Sequence, residues 1–215
     1  VLDMGQNLAG FPEITVRGRK GQKITLLVSE SLSDEGACNQ RQTGRQHYYE
    51  YTLKGEGVET WHPRFSYYGF RYIQVEGAVL KGQKNTLHLP VIQKIQSCFV
   101  YNSAPKVSTF QCSNRIFNEA HRLIEKAVRS NMQSVFTDCP HREKLGWLEQ
   151  DHLCGPGLLY NYDLTGFLPQ TLQNIADAQH ANGAVPTTAP EYVVFEGPGM
   201  DAFAESPEWG CTFVV

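Results

Sequence analysis

The chain is organised around the stretch TDCPHREKLGWLEQD, which runs from Thr137 to Asp151. Pro140 lacks a backbone N–H and biases Cys139 towards an extended conformation, so the first half of the stretch is predicted to be a loop. Gly146 marks a second position where the backbone can bend or pack closely. Four carboxylates accompany a tryptophan in this stretch. This combination suits sugar chemistry, because carboxylates bind hydroxyls or transfer protons and an indole packs against the apolar face of a pyranose.

Two other interpretations of this stretch stay open from the residues alone. Clustered charges commonly lie on the solvated start of a helix, in which case Trp147 belongs to the core. Cys139 and His141 could instead form a thiol nucleophile and its base. That chemistry requires a third group to orient the base, and nothing in the loop supplies one.

The chain carries no pattern typical of a metal site or a dense disulfide framework. Its six cysteines are scattered without a C-x-x-C pair, and we expect most of them to be small buried hydrophobic residues. A metal site in the acidic stretch would lack a histidine pair at helical spacing. The ligands of such a site would be His141, Glu143, Glu149 and Asp151. We therefore expect no metal and no cofactor.

Length and charge narrow the class of protein. The 215 residues have room for one large or two small domains, each with its own core. A formal net charge of -3 without a clustered basic face argues against a nucleic-acid partner. No apolar run is long enough to span a bilayer, and the first residues do not form a signal segment, so no membrane partner is expected. The compartment stays open, with a periplasmic or secreted location slightly favoured over a cytoplasmic one.

Residues from Leu2 to about Val100 show the period of β-strands. Turn sequences rich in glycine separate short alternating runs, and no helical pattern lies between them. This spacing predicts an antiparallel β-sandwich or jelly roll over residues 1–103. The alternating runs lie at 14–16, 24–28, 49–53, 70–75 and 87–100.

The segment from Trp61 to Tyr72 is dense in aromatic residues and arginine. It could form a sugar-stacking platform, but buried aromatic side chains are the commoner use of such a segment. We therefore interpret it as a corner of the sandwich, with aromatic rings in the core. In that interpretation Arg64 or Arg71 pairs with Glu59 or Glu76.

A helical period begins after Pro105. One helix is predicted from Asn114 to Ser130, with Ser113 or Asn114 as its cap and an apolar stripe that faces a core. The stripe consists of Ile116, Ala120, Leu123, Ile124, Ala127 and Val128.

Two further helices are predicted beyond the acidic loop. The first covers Trp147 to Tyr160 and should be kinked or split at residues 155–157, where the sequence reads Gly-Pro-Gly. The second runs from Leu164 to about Gln179, with Asp163 as its cap and a stop at residues 182–183. The proline-rich tail from Ala184 to Trp209 is predicted to be a long loop, and such loops are often functional.

Taken together, these motifs resemble bacterial α-L-rhamnosidases of glycoside hydrolase family 78. The resemblance covers nearly the whole chain, and its most specific part is the string from Asp138 to Trp147. The β part resembles the sandwich domain that precedes the catalytic domain in that family. Supporting segments are 5–10, 30–32, 63–72, 160–163, 177–179, 183–186 and 207–210.

The resemblance implies a β-sandwich followed by the first helices of an (α/α)₆ barrel, over residues 104–215. It further implies inverting hydrolysis of a terminal α-L-rhamnose from a glycoside or polysaccharide, with Glu143 as the general acid. The family usually places an aspartate three residues after the tryptophan, where this chain has Gln150, so Glu149, Gln150 and Asp151 remain alternatives for that role. The substrate-binding residues implied are Asp138, Arg142, Trp147, Glu149, Asp151 and Trp209.

The residues at both ends suggest an excerpt of a longer protein, because the chain lacks an initiator methionine and stops in an apolar run. The resemblance implies that the catalytic base lies beyond Val215. We therefore expect the chain alone to be inactive and to expose unburied helix faces, and we consider a homodimer for the full-length protein. An (α/α)₆ glycosidase for another sugar, or a non-catalytic carbohydrate-binding protein on the same scaffold, remain alternatives.

Overall fold

The structure, a computed structural model, describes residues 1–41, 43–44, 46–200 and 203–214. It divides into two compact units. The first comprises Val1–Val100 together with Pro140–Arg142, and the second comprises Tyr101–Cys139 and Glu143–Val215. We call them the sheet unit and the helical unit.

Seven strands are found in the described part of the sheet unit, and hydrogen bonds join them into one sheet. The order is β3-β2-β5-β1-β7-β6, and β4 pairs with β1. All pairings are antiparallel except the parallel pair of β6 and β7. The strands are β1 (Leu2–Arg17), β2 (Lys23–Ser29), β3 (Tyr48–Thr52), β4 (Val58–Trp61), β5 (Tyr68–Glu76), β6 (Val79–Leu80) and β7 (Val91–Phe99).

Strand β1 connects the sheet because different strands pair with its two halves. Its first half pairs with β5, and its second half pairs with β7 and β4. Along β1 the side chains of Ile14 and Val16 are fully buried while Arg17 is exposed, as the two-residue period of a strand requires. One contiguous core results, built from Leu8, Ile14, Val16, Ile24, Leu26, Val28, Tyr49, Leu53, Phe70, Ile73 and Ile92.

The strand positions predicted from alternation are confirmed in outline. The last strand is shorter than expected, because β7 begins at Val91 rather than at Leu87. Strands β4 and β6 were not predicted, since neither is long enough to show an alternating pattern.

Phe70, Trp61 and Tyr68 of the aromatic segment pack in or against the core while Phe65 is exposed, and the predicted ion pairs of the segment are wrong. Phe70 is fully buried, whereas Arg71 pairs with Asp3 through two hydrogen bonds of 2.8 and 2.7 Å. Glu59 accepts hydrogen bonds from the Tyr51 hydroxyl at 2.5 Å and from the backbone N–H groups of residues 54 and 55. The turn after β3 thus supplies the donors that Glu59 needs, so no arginine is required.

The helical unit contains α1 (Arg115–Asn131), α2 (Glu149–Asn161), α3 (Leu168–Ala178), the short α4 (Pro207–Gly210) and a 3₁₀ turn (Cys211–Phe213). The predicted cap of α1 is confirmed, because the Asn114 side chain accepts from the Ile116 N–H at 2.9 Å. None of these helices is long and apolar enough to cross a membrane, as far as the described residues go.

Three helix predictions need correction. Helix α2 continues through Pro156 and is not split. Helix α3 begins at Leu168, four residues later than predicted, and Asp163 instead accepts from the N–H and the hydroxyl of Thr165 in the preceding turn. Most of the apolar stripe of α1 does not face a core: Ile116 is 74% exposed and Leu123 is 64% exposed, and only Val128 near the end of the helix packs against a buried cluster in the described part of the chain. On the opposite face of α1, Glu125 pairs with Lys106.

The six cysteines all lie among the described residues and none forms a disulfide. The prediction that most of them are buried is wrong. Cys38 alone is buried; Cys98, Cys112 and Cys139 are half-buried, and Cys154 and Cys211 are exposed.

Candidate active site

The loop that carries Glu143 is closed by its own first aspartate. The Asp138 N–H donates to the carbonyl of Leu145 at 3.2 Å, and Asp138 Oδ1 accepts from the Leu145 N–H at 3.0 Å. Lys144 has a φ of 58°, a left-handed conformation that is uncommon outside glycine. One oxygen of Asp138 therefore braces the loop on which the candidate acid lies.

Glu143 is exposed and makes a direct hydrogen bond to the tryptophan of the motif. Trp147 Nε1–H donates to Glu143 Oε2 at 3.1 Å. The Glu143 backbone N–H donates to Cys139 Sγ at 3.4 Å. The structure thus joins the two residues that the sequence singled out as proton donor and sugar platform.

The thiol–imidazole interpretation gains no support from these contacts. Cys139 Sγ accepts the Glu143 N–H, whereas within the sheet unit His141 Nδ1 lies 3.3 Å from Glu30 Oε2. Glu30 in turn accepts from the Asn7 side chain at 2.8 Å. Arg142 is exposed and belongs to the sheet unit with its two predecessors.

Trp147 is positioned by backbone pairing with a distant segment. The Leu148 N–H donates to Thr187 O and the Ala189 N–H donates to Gly146 O, each at 3.0 Å. A side chain at Gly146 would place its Cβ 2.7 Å from the carbonyl oxygen of Ala189. Glycine is therefore required for this close approach.

Aromatic rings from the proline-rich loop surround Trp147. Phe195 stacks on it with a centroid distance of 5.2 Å and an interplanar angle of 25°. Trp209 contacts it edge-on at 5.0 Å and 84°. The Tyr192 hydroxyl donates to the carbonyl of Lys144. Trp209 was a predicted site residue, but Phe195 and Tyr192 were missed; their aromatic character within a loop already flagged as functional was the available signal.

The polar residues that begin α2 lie in different surroundings. Glu149 is half-buried in the first turn, and Gln150 Oε1 is buried without a hydrogen-bond partner among the described residues. Asp151 lines a cavity of about 260 Å³ together with residues such as Thr171 and Leu172, and Glu143 and Trp147 are not among its lining residues. Burial raises the pKa of Asp151 to about 7. Asp151 Oδ1 accepts no hydrogen bond from the described part of the chain.

His152 is half-buried. Its Nδ1 lies 2.7 Å from Thr212 Oγ1, and that hydroxyl donates to the carbonyl of Leu148 at 2.8 Å. The contact was not predictable, because its two partners are 60 residues apart. Among the described residues, no three or more His, Cys, Asp or Glu side chains are arranged to hold a metal ion.

Both units match known families over adjoining ranges. Residues 1–101 match the bacterial alpha-L-rhamnosidase concanavalin-like domain, and residues 105–215 match the bacterial alpha-L-rhamnosidase 6 hairpin glycosidase domain. These matches define a protein of the six-hairpin glycosidase class, in which a sheet domain precedes a helical domain, and here the loop before α2 carries the carboxylate–indole pair. The chain belongs to the bacterial α-L-rhamnosidase family.

Individual relatives agree with this assignment. An alpha-L-rhamnosidase of Formosa agariphila is 33% identical over 181 residues, which are 81% of this chain and 18% of the relative. The structure of alpha-L-rhamnosidase from Dictyoglumus thermophilum superposes with a TM-score of 0.81 at 30% identity, over 99% of this chain and 23% of that one. The crystal structure of Streptomyces avermitilis alpha-L-rhamnosidase complexed with L-rhamnose superposes with a TM-score of 0.77 at 32% identity. The match covers 89% of this chain and 18% of that one.

These comparisons confirm the predicted fold class, a β-sandwich type domain followed by the first helices of an (α/α)₆ barrel. The chain spans about a fifth of the length of the curated relatives it matches.

Proposed function

We propose that the whole protein to which this chain corresponds removes terminal α-L-rhamnose from glycosides or polysaccharides with inversion of configuration. Support comes from the family of both domains and from a relative whose crystal structure is a complex with L-rhamnose. The proposal concerns the whole protein, because this chain covers only about a fifth of its curated relatives.

The observation that carries the proposal is the hydrogen bond between Trp147 Nε1–H and Glu143 Oε2. In the proposed reaction, the Glu143 carboxylic acid gives its proton to the glycosidic oxygen as the bond from that oxygen to the anomeric carbon breaks. The indole N–H orients the carboxyl group and stabilises the carboxylate that remains. Exposure of Glu143 leaves the group accessible to a substrate.

The second catalytic carboxylate is proposed to come from outside this chain. An inverting glycosidase needs a base about 6.5–9.5 Å from the acid, with room for the attacking water. We propose residues 1–103 as the sandwich domain and residues 104–215 as the beginning of the catalytic barrel. The residues proposed to bind the sugar are Asp138, Arg142, Trp147, Glu149, Asp151 and Trp209.

The test is hydrolysis of an aryl α-L-rhamnoside by the whole protein and by its Glu143→Gln variant. Loss of a general acid lowers kcat by roughly 10²–10⁴-fold, and rhamnose should still bind. Glu119→Gln is the matched control, since Glu119 lies on α1 and pairs with Arg122. Proton NMR of the first-formed sugar anomer distinguishes inversion from retention.

Each result separates the candidate functions. If the whole protein cleaves another glycoside but no rhamnoside, the proposed glycosidase activity stands and the proposed substrate is wrong. Sugar binding without any hydrolysis would point to a carbohydrate-binding protein. Full activity of the Glu143→Gln variant would remove Glu143 from the acid role.

A further inference from the structure

A histidine just beyond α3 is held between two carboxylates. His180 Nε2 lies 3.0 Å from Glu191 Oε2, and its Nδ1 lies 3.2 Å from Glu205 Oε1. A neutral imidazole has only one N–H donor, whereas two ionised carboxylates can only accept. Both contacts are therefore satisfied together only when the ring is protonated.

The two carboxylates flank the loop that packs against Trp147. We call residues 191–200 the aromatic loop, because it carries Tyr192 and Phe195. Phe195 stacks on Trp147, and the Tyr192 hydroxyl donates to the carbonyl of Lys144. Glu191 is the first residue of this loop, and Glu205 follows its last residue by five positions.

Hydrogen bonds to backbone carbonyls also join the segments on the two sides of the aromatic loop. The Thr187 N–H donates to the carbonyl of Ala204 at 3.2 Å, and the Thr187 hydroxyl donates to the carbonyl of Phe203. The His180 N–H also donates to the carbonyl of Ala184 at 2.9 Å, so the histidine backbone is fixed near the segment that pairs with Trp147. The imidazole thus joins three separate points of the chain.

The charged groups that contact His180 in the described part of the chain are carboxylates. Glu191 and Glu205 contact the ring, and on α3 the carboxylate of Asp177 lines a cleft beside Glu191 while it accepts from Gln173. Hydrogen bonds that the ring donates to Glu191, the larger effect, and to Glu205 raise the pKa of His180 above its usual range. A raised histidine pKa adds stability below the unfolded-state value, and that stability is lost as the pH rises through the folded-state value.

We propose that His180 is a positioning residue whose protonated ring clasps Glu191 and Glu205 and so holds the aromatic loop against Trp147. Loss of the ring proton removes one of the two contacts and loosens the loop. Any effect of the loosened loop on catalysis rests on the proposed rhamnosidase function, in which Trp147 orients the general acid Glu143. The consequence for the loop does not depend on any activity.

Hydrogen–deuterium exchange of the aromatic loop in the whole protein tests the clasp directly. After correction for intrinsic rates, we expect exchange of residues 191–200 to be about two- to fivefold faster at pH 8.5 than at pH 5.5, the range for a partly exposed ion pair. His180→Gln should exchange fast at both pH values. His180→Lys keeps a positive charge across this range and should restore slow exchange without the pH dependence.

The control is His121→Gln, which removes another histidine–glutamate pair, that of His121 and Glu125 on α1, and should leave the aromatic loop unchanged. Exchange that is independent of pH in the parent and unaffected by His180→Gln would overturn the clasp. So would a His180→Lys variant as loose as His180→Gln.

A parallel activity measurement separates this proposal from the proposed function. If rhamnosides are cleaved, His180→Gln should raise KM more than it lowers kcat at pH 5.5. The aromatic loop is displaced in this variant, while the general acid Glu143 remains. If no rhamnoside is cleaved but exchange responds as expected, the clasp stands and the proposed function fails. If the parent cleaves rhamnosides but exchange of the aromatic loop does not respond, the proposed function stands and the proposed role of His180 fails.

Discussion

The two units of this chain bury their apolar side chains to very different extents. The sheet unit surrounds one contiguous core, in which residues such as Ile14 and Phe70 are fully buried. Among its described residues the helical unit has two small clusters, and most of the apolar stripe of α1 is left exposed, with Leu123 at 64%. An exposed apolar stripe of this kind is typical of a helix face that packs against another surface. The sheet satisfies its own hydrophobic pattern, while α1 does not.

The units also treat a half-hidden carboxylate differently. Glu59 in the sheet unit is buried with a hydroxyl and two backbone N–H groups as donors. Burial by itself would raise the pKa of Glu59, but these hydrogen bonds lower it overall. Asp151 in the helical unit has a buried oxygen that lacks a donor among the described residues, and its pKa rises to about 7. The pKa of Glu59 is thus lowered because donors offset its burial, whereas the pKa of Asp151 is raised because burial acts on it alone.

The largest expected effect compares one substitution in both units. Leu26 is 1% exposed in the sheet core, and Leu123 is 64% exposed on α1. In the 215-residue chain, Leu26→Ala should lower the free energy of unfolding by about 3–5 kcal/mol through lost transfer energy and a cavity. Leu123→Ala should change it by less than about 0.5 kcal/mol. Urea unfolding measures both, and equal losses would mean that the α1 stripe is buried in solution.

A second comparison uses the pH dependence of stability. The folded pKa of Asp151, about 7, exceeds its ordinary value of 3.8, so between these values the folded chain holds a proton that the unfolded chain has lost. Stability should therefore fall as the pH rises through this window, and Asp151→Asn should remove a cost of about 2–4 kcal/mol at pH 8. Urea unfolding at pH 4 and pH 8 checks this.

The control for that measurement is Asp163→Asn. Hydrogen bonds from Thr165 lower the pKa of Asp163, so its replacement should reduce rather than raise stability at pH 8. An Asp151→Asn variant with the same pH slope as the parent would show that Asp151 is solvated.

A third comparison asks how tightly the helical unit is packed around Trp147. Gly146→Ala would place a methyl group 2.7 Å from the backbone oxygen of Ala189, so we expect a loss of about 1–3 kcal/mol. Gly157→Ala, inside α2 with no atom beyond its own helix backbone and chain neighbours within 4 Å of the added methyl, should instead gain up to about 1 kcal/mol from helix propensity. Thermal unfolding of both variants decides the matter. Equal stability of the two would contradict the close approach of residues 146 and 189.

Local features of the fold were predictable from the sequence because they depend on neighbours along the chain. Alternation placed the strands of the sheet unit, since side chains two residues apart share a face. Asn114 capped α1 because its short polar side chain reaches the N–H two residues on. The motif from Asp138 to Trp147 indicated the family, and the structure joins its carboxylate and its indole.

Helix boundaries were less predictable where two local signals competed. Pro156 was expected to split α2, but the helix continues through it. Asp163 was expected to start α3, but its side chain completes a turn with Thr165, and the helix begins four residues later. At Pro156 the helix thus tolerates a residue preference of about 3 kcal/mol, and at Asp163 a local turn competes with the cap.

The sequence by itself determined the β and helical halves of the chain, the loop that carries Glu143, and the chemistry of its side chains. The tertiary structure alone decided which distant residues meet. Phe195 stacks on Trp147, Arg71 binds Asp3, and His180 lies between two glutamates. These contacts join residues 11 to 68 positions apart, and their free energy depends on the closed fold rather than on spacing along the chain.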